Sequence, residues 1–535
     1  MDLHSAGHRR GVVCAPHSGA VETGRAILAD GGNALEAMVA MAASIAAVYP
    51  HMNHLGGDGF WLIRERSGRV RAIMAAGPAG RLAKPELYRD YETIPPRGPL
   101  AALTVPGAVA GWILALEAAK TLGGNPAGRG KLPLDVLLAP AIAQAGDGYA
   151  VTRSQARLTQ AHIAELKDVP GFAATFLVDG RPPEVGAKLK QAALAATLSH
   201  LARAGLDDFY RGDVGREISA DLERMHSSVT RFDLERYRAT LAEPLRVVLP
   251  STTVYNTDAP TQGVASLLIL ALFARLGVTK AESFDHIHCL VEATKQALRV
   301  RDRVVTDPNY LTHSLDRLLE ERTIAGQAMK IDRHKAARWP LAASAGDTIW
   351  MGAADSDGLV VSYIQSLYWE FGSGCVLPAT GVLMQNRGAS FSLAPGALNY
   401  LSPGRLPFHT LNPALAVLND GRIMAYGCMG GDGQPQTQSA VFTRYVDFDE
   451  TLADALDRPR WVLGRTWGTP RTALRLEPRF DSNLIEALAA AGHDVEVVPE
   501  PYSDIMGHAG AVVLHPDGTC EGAHDPRADG GAAGV

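Results

Sequence analysis

Gly346-Asp-Thr-Ile-Trp-Met-Gly-Ala-Ala-Asp-Ser-Asp-Gly-Leu-Val-Val-Ser-Tyr-Ile-Gln365 is the stretch that decides the fold of this chain. Thr348 to Ala354 carries apolar residues at strand-like spacing, and Asp355-Ser-Asp-Gly358 supplies the Asx and glycine residues of a tight turn. Leu359 to Gln365 then returns as a second strand, so Thr348 opens a β-hairpin. A threonine at the start of a central strand, preceded by Gly346-Asp347, has the layout of an N-terminal nucleophile. Cleavage before Thr348 would put a hydroxyl and a freed α-amine on one residue. That amine has an ordinary pKa near neutrality and can serve as general base for the hydroxyl. Alone, Asp-Thr is an ordinary dipeptide and threonine is common in strands, so the reading depends on the surroundings.

Working outward, ordered blocks recur on both sides of Thr348. Before it stand Gly31-Gly-Asn-Ala, Pro50-His followed by the glycine cluster Gly56-Gly-Asp-Gly59, Val105-Pro-Gly, Pro140-Ala-Ile with a later Asp147-Gly, Val291-Glu-Ala-Thr-Lys-Gln-Ala297 and Asp307-Pro308. After it come Phe371-Gly-Ser-Gly374, Asn412-Pro413, Gly430-Gly431 and Gly522-Ala-His-Asp-Pro-Arg527. In order and spacing these blocks resemble the γ-glutamyltranspeptidase family of self-cleaving amidases. The resemblance implies an α/β fold, the four-layer αββα sandwich of the N-terminal nucleophile hydrolase type. It also implies two fragments after self-cleavage, residues 1–347 and 348–535, intertwined as one structural unit. Their assembly is a heterodimer of the two fragments, or a dimer of such heterodimers.

Composition narrows the classes. The 535 residues are 47% hydrophobic, as a globular core requires, which excludes general disorder. A net charge of −6 over this length, without a basic stripe, argues against nucleic acid as a partner. The five cysteines (Cys14, Cys289, Cys375, Cys428 and Cys520) are scattered, odd in number and without metal-ligand spacing, as expected of reduced thiols. The first residues lack an apolar signal region, unlike many relatives in this family, and the apolar runs Ala34–Tyr49 and Gly263–Ala274 are too short to span a bilayer. A cytoplasmic protein without a membrane partner is expected.

The patterns alternate between helix and strand without repeats. Val21–Ala29 reads as a helix closed by a left-handed cap at Gly31-Gly32, Ala34–Val48 as an alanine-rich packed helix, and Glu282–Arg303 as a long helix halted near Asp307-Pro308. The charged segment from Thr312 to Gly346 is expected to be a mobile tail of the first fragment after processing, and Asp529–Val535 a flexible or loosely docked end.

The resemblance implies site residues one by one. Thr348 is the nucleophile, first against the Asp347 carbonyl and then against substrate. Ser366, eighteen residues on, falls where the family has a threonine hydroxyl that orients the nucleophile. Gly430 and Gly431 match the glycine pair whose N–H groups form the oxyanion hole, a role glycine suits because its backbone can approach the developing charge. The substrate pocket departs from the pattern. Ala76 stands where transpeptidases hold the glutamyl carboxylate with arginine, and Tyr368 where an asparagine helps bind the amine. Arg387 and Ser390 replace a glutamine and an aspartate, while His409 and Thr410 replace paired serines. The pocket thus loses its bidentate carboxylate clamp, gains the cation Arg387 and has no anionic partner for an ammonium.

These replacements point to a small amide bearing a carboxylate next to the scissile carbonyl. The stretches Gly346–Gly352, Gln385–Gly388 and Met429–Thr437 resemble the oxamate amidohydrolase branch of the family, which acts in purine (allantoin) breakdown. A γ-glutamyl hydrolase or transferase acting on glutathione-like amides is the alternative, with Arg81 swinging in for the missing arginine. A cephalosporin side-chain acylase is another, and an unprocessed relative that only binds a metabolite is the non-enzymatic one. His51 and His54 are closely spaced, but no acidic helix motif accompanies them as a metal site would require. No cofactor or metal is required.

Overall fold

In the computed structural model, which describes residues 1–122, 132–339, 347–464 and 472–535, the quoted stretch folds as an antiparallel hairpin. Strand Asp347–Asp355 pairs with Val360–Tyr368. Asp355 closes the turn by accepting from the Asp357 and Leu359 N–H groups at 3.0 and 3.1 Å, the short side chain standing in for a backbone turn.

The hairpin lies in the middle of a seven-stranded sheet. From edge to edge this sheet runs Gly531–Gly534, Gly11–Ala15, Asp347–Asp355, Val360–Tyr368, Asp58–Arg64, Val70–Ala75 and Thr240–Ala242. A second seven-stranded sheet runs His4–His8, Cys520–His524, Ala509–Leu514, Ile423–Cys428, Ala414–Leu418, Thr252–Asn256 and Leu245–Leu249. The sheets stack through Val12, Phe60, Trp350 and Ile364 on one side and Leu415, Ala425 and Val512 on the other. Helices Ser18–Ala29 and Ala34–Val48 cover the outer face of the first sheet, Gly263–Phe273 and Phe284–Val304 that of the second. Helix, sheet, sheet and helix make the expected four layers. With both faces of the hairpin covered, Val360–Tyr368 is buried at every position instead of at alternate ones.

Each sheet takes strands from both sides of Thr348, so neither segment completes a sheet alone. Helix Ala34–Val48 is buried all round and starts on a capping box in which Asn33 and Glu36 exchange hydrogen bonds. Gly31 takes the left-handed φ of +93° that closes the preceding helix. All five cysteines are buried and unbridged. Among the described residues, no helix is long and apolar enough to cross a membrane.

Two expectations are corrected. The segment expected to be a mobile tail is structured over its described part. It forms helix Glu321–Ala328 and then docks, with Ala336 N–H donating to Ala491 O at 2.8 Å and Ala337 N–H to Glu292 Oε2 at 3.1 Å. Lys295 Nζ donates to Ala337 O and to Glu292 Oε1, both at 2.7 Å. A buried Lys–Glu pair needs further polar partners, and this segment supplies them; periodicity could not reveal that. Residues 340–346 lie outside the described residues. The C-terminal end is the edge strand Gly531–Gly534, bonded to Gly11–Ala15. Its small residues, which read as flexible, let it lie flat against that neighbour. Lys295→Met leaves Glu292 buried without its cation and should cost about 3–5 kcal/mol of stability, measured as a lowered thermal unfolding midpoint.

Candidate active site

Thr348 sits at a break in strand pairing. Asp347 pairs with Tyr368 but Ile349 with Gln365, so Ser366 and Leu367 together face Thr348 across a bulge. Bulges re-aim side chains, and here one falls on the residue proposed to react. Thr348 is 1% exposed, and its Oγ1 accepts from Gln434 Nε2 at 3.4 Å. Ser366 Oγ accepts from Tyr368 N at 2.7 Å. Tyr368 holds φ +86°, a conformation costly for a bulky residue, and such residues persist where the surrounding structure fixes them.

The glycine pair follows strand Ile423–Cys428. Gly430 and Gly431 have φ of +114° and +52°, and Gly433 N–H bonds back to Gly430 O at 2.8 Å. Side chains would strain both positions, and their lack leaves room for an oxyanion at the backbone. The turn is fastened from behind. Gln262 Nε2 donates to Gly431 O at 2.9 Å and Thr410 O at 2.6 Å, and Arg301 Nη1 donates to Gln262 Oε1 and Asp432 Oδ1, both at 2.6 Å. The turn delivers Gln434 as the first residue of helix Gln434–Phe442, and Asn412 Nδ2 donates to Gln434 Oε1 at 3.1 Å. Gln262, Arg301 and Gln434 were not singled out from the sequence, and Asn412 was quoted in the Asn412-Pro413 block without a role. Gln434 stands within the quoted Met429–Thr437 stretch, but a glutamine carries no signal of its role. Gln434→Ala removes one neutral hydrogen bond to the Thr348 hydroxyl, worth about 1 kcal/mol. Steady-state kinetics should show a roughly five- to tenfold loss of kcat with little change in KM.

Beside Tyr368 lies a cluster of buried polar side chains. Arg387 is fully buried on the turn Arg387–Ser390, with its guanidinium over the Tyr368 ring at 4.0 Å. Its Nη1 donates to Thr410 Oγ1 at 3.3 Å, while Nε and Nη2 have no hydrogen-bond partner among the described residues. Burial lowers its pKa to about 10, which leaves it a cation at neutral pH. His409 is fully buried edge-on to Phe60, and burial, then the Arg387 charge, keep it well below its ordinary pKa and hence neutral.

Asp58 was not assigned a role from the sequence, although it interrupts a run of glycines. It opens strand Asp58–Arg64 opposite Ser366, fully buried, and Oδ1 accepts from Gly77 N at 2.9 Å. Its Oδ2 lies 3.3 Å from His409 Nε2 but not aligned for a hydrogen bond. Burial raises its pKa to about 7, against the opposing pull of the Gly77 N–H and Arg387. A carboxyl group that the sequence reading did not weigh therefore stands beside Arg387 and His409.

Thr348, Ser366, Tyr368, Arg387, His409 and Thr410 are thus linked through shared contacts, with Gly430 and Gly431 joined to them through Gln262 and Gln434. Ser390 ends the Arg387 turn, and its buried Oγ has no hydrogen-bond partner among the described residues. Ala76 is buried, as a residue with no clamp function can be. Arg81 lies elsewhere, exposed and stacked on Phe232 at 4.9 Å. His51 and His54 are structural. His51 bonds Ser154 at 3.2 Å, and His54 bonds Gln191 at 3.3 Å and accepts from Leu383 N at 3.1 Å.

The chain as a whole has counterparts. The γ-glutamyltranspeptidase family model matches residues 20–535. The chain belongs to the γ-glutamyltranspeptidase family. It is 49% identical over 533 residues to the oxamate amidohydrolase proenzyme of Klebsiella pneumoniae, covering 99% of this chain and 100% of that one. It is 38% identical to the glutathione hydrolase-like YwrD proenzyme of Bacillus subtilis, covering 98% of each. The crystal structure of cephalosporin acylase from Bacillus halodurans superposes with a TM-score of 0.89 at 31% identity, over 100% of this chain and 97% of that one. This member of the γ-glutamyltranspeptidase family is an amidohydrolase of the N-terminal nucleophile type.

Proposed function

We propose that the protein is a self-processing oxamate amidohydrolase whose nucleophile is Thr348. The observation that carries this reading is Arg387, a fully buried guanidinium with Nε and Nη2 open beside the Thr348 hairpin. A side-on pair of N–H groups suits a planar carboxylate, and the 49% identity to the oxamate amidohydrolase proenzyme of Klebsiella pneumoniae supports oxamate as the amide that brings it.

In processing, Thr348 Oγ1 attacks the Asp347 carbonyl, the Asp347 acyl group moves from nitrogen to oxygen, and water releases Asp347 as a new C-terminus. Fragments 1–347 and 348–535 stay together because each sheet needs strands from both. In turnover, Arg387 holds the oxamate carboxylate, with Tyr368, Thr410, His409 and Ser390 completing the wall. The freed α-amine of Thr348 takes the hydroxyl proton as Oγ1 attacks the amide carbon. Backbone N–H groups of Gly430 and Gly431 hold the developing oxyanion, and Ser366 orients the nucleophile. The amine passes its proton to the leaving nitrogen, and ammonia departs. Water then attacks the oxalyl ester, releasing oxalate and restoring the hydroxyl. On this reading the enzyme serves cytoplasmic purine breakdown and needs no cofactor.

A γ-glutamyl substrate is the second reading, favoured by Asp58, whose carboxyl could face a substrate ammonium. Hydroxylamine separates an acyl-enzyme from direct hydrolysis. With oxamate, added hydroxylamine should divert product from oxalate to oxalyl hydroxamate while ammonia release continues. Ammonia release without any hydroxamate contradicts the ester intermediate, and absence of ammonia release contradicts the substrate.

A further inference from the structure

Three buried polar groups from three separate parts of the chain meet beside Thr348, each short of partners. They are Arg387 with two open N–H groups, Asp58 with an open Oδ2, and His409 with neither ring nitrogen hydrogen-bonded among the described residues. No carboxylate of the described residues lies within ion-pair distance of Arg387, and the basic group nearest Asp58 is the neutral His409. A carboxylate buried without a paired cation is costly, and such a group takes up a proton instead.

We propose that Asp58 is a specificity-determining residue that meets the substrate as the neutral acid. The substrate carboxylate fills the two open N–H positions of Arg387, and the protonated Asp58 Oδ2 stands beside it in place of a second negative charge. The proposal rests on the reading of Arg387 as the carboxylate site. It makes the pocket selective for amides carrying one negative charge, because Arg387 can neutralise only one.

Asp58 is surrounded by groups that leave it the one to titrate. Arg387 and His409 face it from the turn and the loop, and Tyr210, Tyr237 and Tyr363 interact with it from the helix, loop and strand packed around. Gln385 and the Gly77 and Gly107 N–H groups complete the surroundings. Burial holds the three tyrosines far above their ordinary pKa and His409 far below its own. Asp58, pushed up by burial to about 7, is the member of this group that changes charge near neutrality. Above that value an anionic substrate binds only with uptake of a proton. Its KM should then rise towards tenfold per pH unit, the slope of one linked proton.

The test compares oxamate KM from pH 6 to pH 9 in the processed wild-type enzyme and in Asp58→Asn. The freed Thr348 amine also titrates in this range but acts on both enzymes alike, so the difference between profiles reports Asp58. The expected result is a KM that rises with pH more steeply in the wild type than in Asp58→Asn, which keeps a low KM. An equal rise in the two enzymes overturns the proposal. So does a KM already raised many-fold at pH 6, because that means the ionised carboxylate is the form in use. If the variant does not fold, the wild type is read alone with uncharged oxamide beside oxamate. A KM that rises with pH for oxamate alone supports the proposal, and parallel profiles overturn it. Failure of the underlying reading shows separately, as an Arg387→Ala enzyme with unchanged oxamate KM.

Discussion

Arg387→Ala is expected to raise the KM for oxamate by about two orders of magnitude, as removing one partner of a buried charge pair costs 2–5 kcal/mol. Every feature of this side chain points the same way. It is fully buried, stacked on Tyr368, bonded through Nη1 to Thr410, and its Nε and Nη2 have no hydrogen-bond partner among the described residues. Arg387→Lys should recover only a small part of the loss, because an ammonium replaces a planar fork with a single point of charge. Ammonia release at varied oxamate gives the constants directly. An Arg387→Ala enzyme matching a surface arginine variant would remove Arg387 from the site.

Thr348→Ala is expected to leave a single polypeptide of the full 56.8 kDa on a denaturing gel and to release no ammonia. The methyl of alanine cannot attack the Asp347 carbonyl, so neither the fragments nor the free amine form. Thr348→Ser keeps the hydroxyl and should still process, more slowly, since the β-methyl that fixes the threonine rotamer is gone. The fold should be unaffected, because the strand register beyond Thr348 is set by its buried apolar neighbours Ile349, Trp350 and Met351. Cleavage at the same bond in the alanine variant would show that Thr348 is not the processing nucleophile.

The hairpin and the packed helices were legible because their signals are local, whereas the four layers were legible only through the family resemblance. Strand spacing, an Asx-rich turn, and the Gly31 cap are read within a few residues. Gly430 and Gly431 were legible by register with the family, and their positive φ values agree with the reason glycine stands there. The pocket was legible only in outline. Arg387 could be named as a new cation, but its two open N–H groups depend on what lies around it in space. Asp58 shows why the rest was hidden. It sits some 290 residues before Thr348 in the chain and reaches the site only because its strand pairs with the one carrying Ser366. Gln262 and Arg301 fasten the glycine turn from helices remote in sequence, and nothing in their local patterns marks that role. The C-terminal strand was misread for a related reason. Its glycines and alanines carry no amphipathic signal, and their fit against Gly11–Ala15 exists only after folding.

The central claim is that Arg387 and Thr348 together make this enzyme hydrolyse a small carboxylate amide. The most direct measurement gives the purified, processed protein oxamate and, separately, a γ-glutamyl anilide, following ammonia and aniline release. The account predicts ammonia and oxalate in equal amounts from oxamate, with little aniline from the glutamyl compound. Rapid aniline release with oxamate untouched would contradict it, and would mean that Asp58 and Arg387 clamp an amino acid instead.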